Sequence, residues 1–459
     1  MRKQLSENEF DIILNTVRRL YDRKAKIALY KYVYKTHPAD MATVFRYLEP
    51  IQRRDIFKYI LRMEGVNNFI VELDEAIIEQ LFDVLPAKQI SNIISTLPKE
   101  DIAFVIDNID EDLAISVQNL LEEENRHEVE EMLQYAEDSA GRIMSTHFVT
   151  FNENVTIDKA TQEFHKIGED TDVPFYIYIV NDKEQMVGVL SLRQLLVNPP
   201  KTPLKKVMQS EFIGVTPETD QETAANLVSQ YNLLALPVID SDNQLVGVIT
   251  VDDVMDVIEE EATEDILKMA GAGDDQDILL KSTFENARLR FPWLLASWFG
   301  GVVALGIIGY FNELLTNIMA LAAFIPIIIG MGGNVGTQTT TIVVRGIATG
   351  RVNISEASKM IFKEIRVGML LGVIYGILLG LLAYFRYIDY SAPVLLGIVV
   401  AISIFIAMSI ACIIGSFFPV LLHKLDFDPA ISTGPFVTTA IDILGVLIYF
   451  SIAKYFLPI

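Results

Sequence analysis

The sequence predicts a multidomain chain: an α-helical superhelical N-domain, an α/β tandem pair of small domains, and an all-α membrane domain with five transmembrane helices. Three observations across its 459 residues predict this. Acid is confined to one end, since residues 1–281 hold 52 Asp+Glu against 27 Lys+Arg, whereas 282–459 hold 8 against 10. The second stretch is a succession of apolar runs, each near the about 20 residues needed to cross a hydrocarbon core about 30 Å thick. Between the two extremes, one pattern of short β-type runs alternating with helices occurs twice.

Residues 1–140 form the acidic helical domain. Apolar positions recur at helical spacing, and Leu85-Pro86 and Leu97-Pro98 each precede a new apolar run. Proline in the first turn restarts short helices, and the twelve-residue interval suggests stacked helical hairpins. The run EEENRHEVEE reads as a solvated helix face, with metal binding through His127 as the minor alternative. So acidic a front end repels phosphate backbones, which excludes nucleic acid as a partner and makes cations the natural counterpart. The single Cys412 excludes a disulfide framework within one chain. MRKQLSENEF lacks the apolar core of a secretory signal, so the acidic part is expected in the cytosol.

Residues 141–262 carry the duplication. The run 143–164 aligns with 207–228, and 175–195 with 234–254. In each copy a strand ends in a turn (Asn181-Asp182, Asp242-Asn243), a second strand passes through Gly188 or Gly247, and a helix starts at Ser191 or Thr250. The G-V-[LI]-[ST] step in both copies resembles a tandem pair of cystathionine-β-synthase (CBS) domains. That resemblance implies that a hydroxyl and an Asp three residues later hold adenosine ribose and phosphate, here Thr250 and Asp253, with ATP as the candidate cofactor. The first copy has Ser191 with Gln194, and Gln lacks the charge that makes a carboxylate a strong acceptor for a ribose diol. A dimerising hinge and a nucleotide sensor both remain open for this pair.

Asp252, Asp253, Asp256, Glu259, Glu260, Glu261, Glu264 and Asp265 then crowd into one helical stretch before Lys268. Two readings fit: a solvated acidic face, or a carboxylate surface for hard divalent cations, which take oxygen ligands. Residues 263–290 are read as a linking (plug) helix, with a glycine-rich hinge at 271–277. It leads into the membrane domain, 291–459, whose spans are drawn at 292–311, 318–344, 367–387, 394–418 and 437–457. Arg288, Arg290, Arg345, Arg351, Lys359, Lys363, Arg366 and Lys424 flank one side, and Arg386 and Lys454 the other. By the positive-inside rule the N-terminus is cytosolic and the C-terminus outside.

Two features exceed what an anchor needs. Gly330, Gly332, Gly333 and Gly336 surround Asn334, with Gln338 and three threonines following, a pattern that serves close helix packing or lets carbonyls line a water-filled path. Asp442 stands in an apolar span with no Lys or Arg placed to pair with it. An ionised carboxylate at that depth costs several kcal/mol unless compensated, which leaves protonation, a water-filled cavity or a bound cation. Before it, Asp426 and Asp428 precede Pro429 and Pro435, where a helix would start and then loosen.

GMGGNVGTQ, ATEDI, the TDQE run at 219–222, DPA and FVTTAIDILG together resemble the MgtE family of magnesium channels and transporters. The resemblance implies a homodimer in a bacterial plasma membrane, with Mg²⁺ as substrate and regulator and no enzymatic activity. Asp442 would hold hydrated magnesium, helped by the carbonyl of Thr438. Cytosolic magnesium would bridge Asp101, Asp220, Glu222, Asp253, Asp256, Glu261, Glu264 and Asp265, with Asp428 at the cytosolic pore end, and close the path. The rival expectation is a proton- or sodium-coupled divalent cation carrier in which Asp442 titrates.

Overall fold

The computed structural model describes residues 7–62, 66–167, 176–273, 276–352, 357–425, 427–432 and 434–457. The expectations placed on residues 1–6, on 274–275 of the hinge and on Asp426 lie outside the described residues. The chain divides into two units, Met1–Glu259 and Glu260–Ile459.

Among its described residues the first unit opens with ten short helices. Two of them, α3 (Pro38–Arg46) and α4 (Pro50–Ile60), carry proline at the first helical position, where the missing N–H is no loss. Then α6 (Glu75–Phe82), α7 (Ala87–Ile94), α8 (Lys99–Asp107), α9 (Glu111–Gln118) and α10 (Glu123–Met132) are capped by Asp74, Pro86, Pro98, Asp110 and Glu122, twelve residues apart throughout. Pro86 and Pro98 thus sit one place earlier than expected, as caps. The fourth residue after each of the first four caps, Ile78, Ile90, Ile102 and Ala114, is buried, so these four repeats bury the same apolar position.

After α11 (Ala140–Ile143), the duplicated part follows as two small α/β modules. In the first, β1 (Thr150–Asn152) runs parallel to β2 (Tyr176–Val180), which pairs antiparallel with β3 (Met186–Ser191). In the second, β4 (Ala235–Ile239) and β5 (Leu245–Thr250) pair likewise, and a single parallel bridge from Val215 to Val238 stands where β1 stood. The copies exchange their leading segments. Ser145 bridges Val248 of the second copy, and Gln209 bridges Val189 of the first. Gly188 leaves room for Met208, since a Cβ there would lie 2.8 Å from its sulfur, and Gly247 does the same for Met144. The matching place of glycine in both strands is therefore a packing requirement of the swap.

Among the described residues the second unit holds five helices long and apolar enough to cross a membrane: Thr283–Tyr310, Met319–Ala348, Ala357–Arg386, Pro393–Lys424 and Pro429–Phe456. Three of these spans are one continuous helix, here α16 (Thr283–Tyr310), α19 (Ala357–Arg386) and α20 (Pro393–Lys424). In the other two a 3₁₀ turn leads into α18 (Ile325–Ala348) and α21 (Pro435–Phe456), and a short α17 (Asn312–Asn317) follows α16. Glycines 368, 372, 376 and 380 form a stripe on α19 against α20, and a Cβ on Gly376 would lie 2.8 Å from the Ala401 carbonyl oxygen. Without a hydrophobic force between helices in lipid, such small residues let backbones approach and gain dispersion contacts. Gly376→Ala is expected to destabilise the solubilised protein by about 1–3 kcal/mol, read as a lower midpoint of thermal unfolding; an unchanged midpoint would remove the stripe from the account of packing.

The linking segment is not one unbroken helix, as its glycines suggest. The acidic helix α15 runs from Val251 to Ala270 without a break; Gly271 and Gly273, both at positive φ (65° and 111°), follow it, and α16 begins at Thr283 under a Ser282–Glu285 capping box. Left-handed backbone of this kind favours glycine, which here ends α15.

Candidate functional site

Asp442 sits on α21, which packs against α18 through the glycines of its motif. A Cβ on Gly332 would lie 3.0 Å from Ile441 Cγ2, and the same side chain fills the space at Gly336. These glycines therefore serve close packing. Over this motif α18 is one continuous helix. Gly333 has a different neighbour: its Cβ position is 3.8 Å from Asp442 Oδ1, and that of Gly445, three residues on from Asp442, meets nothing within 4 Å. Room is thus left beside the carboxylate. Among the described residues the Asp442 side chain makes no hydrogen bond or ion pair, and the residue is partly exposed.

On α18, Asn334, Gln338 and Thr341 are exposed at i, i+4 and i+7 and share one face. A polar stripe exposed in the middle of an apolar span needs water or a second protein surface to cover it. The Thr438 hydroxyl turns back on its own helix, donating to Pro435 O at 3.2 Å and Gly434 O at 3.4 Å. Its carbonyl lies one turn before Asp442. Pro435 begins α21 instead of loosening it, and Pro429 heads a separate 3₁₀ turn, Pro429–Ser432.

At the start of that turn, Asp428 Oδ1 accepts the Ala430 N–H at 2.7 Å, and Oδ2 accepts Lys268 Nζ at 2.6 Å. Lys268 also pairs with Glu264, one turn earlier on α15. Burial pushes the Asp265 carboxyl up to about 6, reinforced by Asp428 and opposed by Lys268 and Arg345. So Glu264, Asp265 and Asp428 converge, and sequence reasoning missed the cation among them because it lies 160 positions from Asp428. Glu261 occupies the same helix one turn before Asp265. A second omission is Glu364 on α19, only 5% exposed, with Thr339 Oγ1 at 3.5 Å, itself 3.4 Å from Cys412 Sγ. Lys363 and Arg366 beside it made that stretch look like the end of a span.

In the first unit, Asp253 is held by the N-cap it shares with Thr250. Thr250 donates to Asp253 Oδ2 from N at 3.0 Å and from Oγ1 at 2.6 Å. Ser191 and Gln194 repeat this bonding at 2.9 and 3.1 Å. Gln replaces Asp in the cap without loss, since both carry an acceptor oxygen at the right reach. Asp101, in the first turn of α8, is driven up to about 7 by burial and by the neighbouring Glu100 and Asp253. Burial likewise raises Asp253, against the Thr250 bonds, and raises Asp256, with Asp253, Glu259 and Glu72 adding to it. Asp220 caps α14 (Gln221–Tyr231), accepting Thr223 N–H at 3.1 Å, and Glu222 lies in that first turn. Among the described residues no three Asp, Glu, His or Cys side chains are grouped closely enough to hold a metal ion. Ions that keep their water shell need no such inner-sphere cluster.

A carboxyl whose folded value stands above its unfolded 3.8 destabilises the fold as pH rises from about 4 to about 7, because the folded state resists ionisation there. Asp101→Asn is therefore expected to raise the thermal midpoint at pH 7.5 and to change it little at pH 4. Equal effects at both values would show that Asp101 is not held against its neighbours.

The family model for the divalent cation transporter MgtE matches residues 325–452, that for the MgtE intracellular N domain matches 36–138, and the CBS domain matches 140–199 and 204–260. The magnesium transporter MgtE of Bacillus subtilis is 33% identical over 420 residues, covering 92% of this chain and 92% of that protein. That of Thermus thermophilus is 36% identical over 343 residues, covering 74% and 75%. Among solved structures, the cytosolic domain of the Mg²⁺ channel MgtE in complex with ATP aligns with a TM-score of 0.49 at 28% identity, over 53% of this chain and 99% of that one.

Proposed function

Because the chain belongs to the MgtE family of magnesium transporters, we propose that it is a passive magnesium channel of a plasma membrane, closed by magnesium on its cytosolic side. Asp442 carries this reading: a carboxylate in a membrane span, without a protein partner for its side chain among the described residues, beside Gly333 of a helix that also exposes a polar stripe. Mg²⁺ sheds water reluctantly, so a carboxylate that accepts hydrogen bonds from the ion's water shell selects by size and charge without dehydrating it. The Thr438 carbonyl adds an acceptor one turn away.

The exposed stripe supports a homodimer, in which a second copy covers Asn334, Gln338 and Asp442 and the path runs between the two chains. Flanking charges support a cytosolic N-terminus and an external C-terminus. The membrane potential then drives a divalent ion inward with about 4.6 kcal/mol per 100 mV. Closure is assigned to ions shared among Asp101, Asp220, Glu222, Asp253, Asp256, Glu261, Glu264, Asp265 and Asp428. Thr250 and Asp253 are the candidate contacts for the ribose of ATP, and since Gln194 caps as Asp253 does, the cap itself survives in both copies.

The test is magnesium flux into liposomes holding the purified full chain, with proton and sodium gradients collapsed. Flux that follows the magnesium gradient and the potential alone is expected; flux that stops would establish the proton- or sodium-coupled carrier instead.

A further inference from the structure

We infer that Lys268 is a positioning residue of the gate, a tethered cation that holds Glu264 to Asp428 and supplies a share of closure that needs no magnesium. The inference rests on the magnesium-gated reading above and names a component of it that no metal ligand provides.

The ammonium stands in the last turn of α15, where the helix dipole favours a cation. It bridges two carboxylates, Glu264 on its own helix and Asp428 Oδ2 at 2.6 Å. Asp428 is itself fixed, because Oδ1 accepts the Ala430 N–H and so heads the 3₁₀ turn that feeds α21 and Asp442. A run of bonds therefore joins the acidic helix to the 3₁₀ turn Pro429–Ser432, which precedes α21 in the sequence.

The backbones meet at the same place. A Cβ on Gly434 would lie 3.4 Å from Lys268 O, and one on Gly271 would lie 2.9 Å from Pro435 Cδ. The side chains of Lys268, Glu264 and Asp428 are 17%, 24% and 31% exposed, so salt screens them less than a surface pair. Burial pulls the ammonium down, but its bonds to Asp428 and Glu264 outweigh that and hold it above its ordinary range, so it stays charged.

The balance of charge sets the direction of the effect. Glu264, Asp265 and Asp428 are faced by Lys268 and Arg345. Removing Lys268 leaves three acids against one base, and magnesium must then offset repulsion that the ammonium now offsets at any ion concentration. Were Lys268 only a competitor for the same carboxylates, its loss would make magnesium closure easier. The two roles predict shifts of opposite sign.

The experiment measures inhibition of flux by cytosolic-side magnesium in the full-length protein, for wild type, Lys268→Gln and Lys268→Arg. Coupling of this kind commonly changes an equilibrium about tenfold. Spread over two or more ions per closure, that moves the half-inhibiting concentration up by about threefold in Lys268→Gln. Flux at low magnesium is expected at or above wild type, and Lys268→Arg is expected to restore the wild-type midpoint. An unchanged or lowered midpoint in Lys268→Gln overturns the role of Lys268 while leaving gating intact. If wild type itself is not inhibited, it is the gating reading that fails. Lys268→Met keeps the aliphatic stem and decides the matter if the Gln variant does not assemble.

Discussion

Asp442→Asn is expected to leave an assembled protein that passes at least about a hundredfold less magnesium. The substitution preserves shape and the neighbouring contacts of Ile441 with Gly332 and Gly336, so α21 should pack as before. What it removes is a full charge facing a divalent ion. At an effective dielectric constant near 20 and a separation of about 6 Å, that attraction is on the order of several kcal/mol, and a hundredfold loss requires only about 2.7 kcal/mol. Loss of the outer-sphere acceptor compounds it, because an amide presents one acceptor oxygen and a donor that repels the hydrogens of coordinated water. Flux read with a magnesium-sensitive dye in liposomes, alongside the elution volume and thermal midpoint of the variant, separates a filter defect from misfolding. Near-normal flux would take Asp442 out of the ion path, and the exposed stripe of Asn334, Gln338 and Thr341 would become the next candidate.

Much of the fold was legible because its signals are local. Five apolar runs became five long helices, and the duplicated G-V-[LI]-[ST] step became two strands ending in caps at Ser191 and Thr250. The twelve-residue period was half hidden, since Asp74, Asp110 and Glu122 cap helices in the same register as Pro86 and Pro98 but share no residue type with them. What could not be read were the pairings that folding alone creates. Nothing near Gly247 announces that Met144 will pack on it, or that the two copies exchange segments. Lys268 reads as the end of an acidic run until Asp428 is found beside it, and Glu364 reads as a boundary charge until α18 and α20 close over it.

The acidic helix supplies the second large effect. Glu261→Ala, Glu264→Ala and Asp265→Ala together are expected to give a protein that still conducts magnesium but is poorly closed by it. Two consequences of the triple change oppose each other. Removing Glu264 and Asp265 relieves repulsion at Asp428, worth about 1 kcal/mol or less for each half-exposed pair, and this favours closure when magnesium is scarce. It also removes ligands, and each ion bound only by the closed form contributes RT ln(1 + [Mg]/Kd), about 1.4 kcal/mol at ten times Kd. With several ions the second effect exceeds the first at millimolar magnesium, and it alone grows with concentration. The variant should therefore show a half-inhibiting concentration raised by about tenfold or more, a shallower dependence, and unaltered permeation through Asp442. Patch recordings with stepped cytosolic magnesium check all three. Because Asp265 is already held up near 6 by burial and by Asp428, Asp265→Asn alone relieves repulsion at the least cost in ligands, and should close the path more readily at low magnesium than the wild type does. Unchanged inhibition in the triple variant would return these three residues to a solvated helix face.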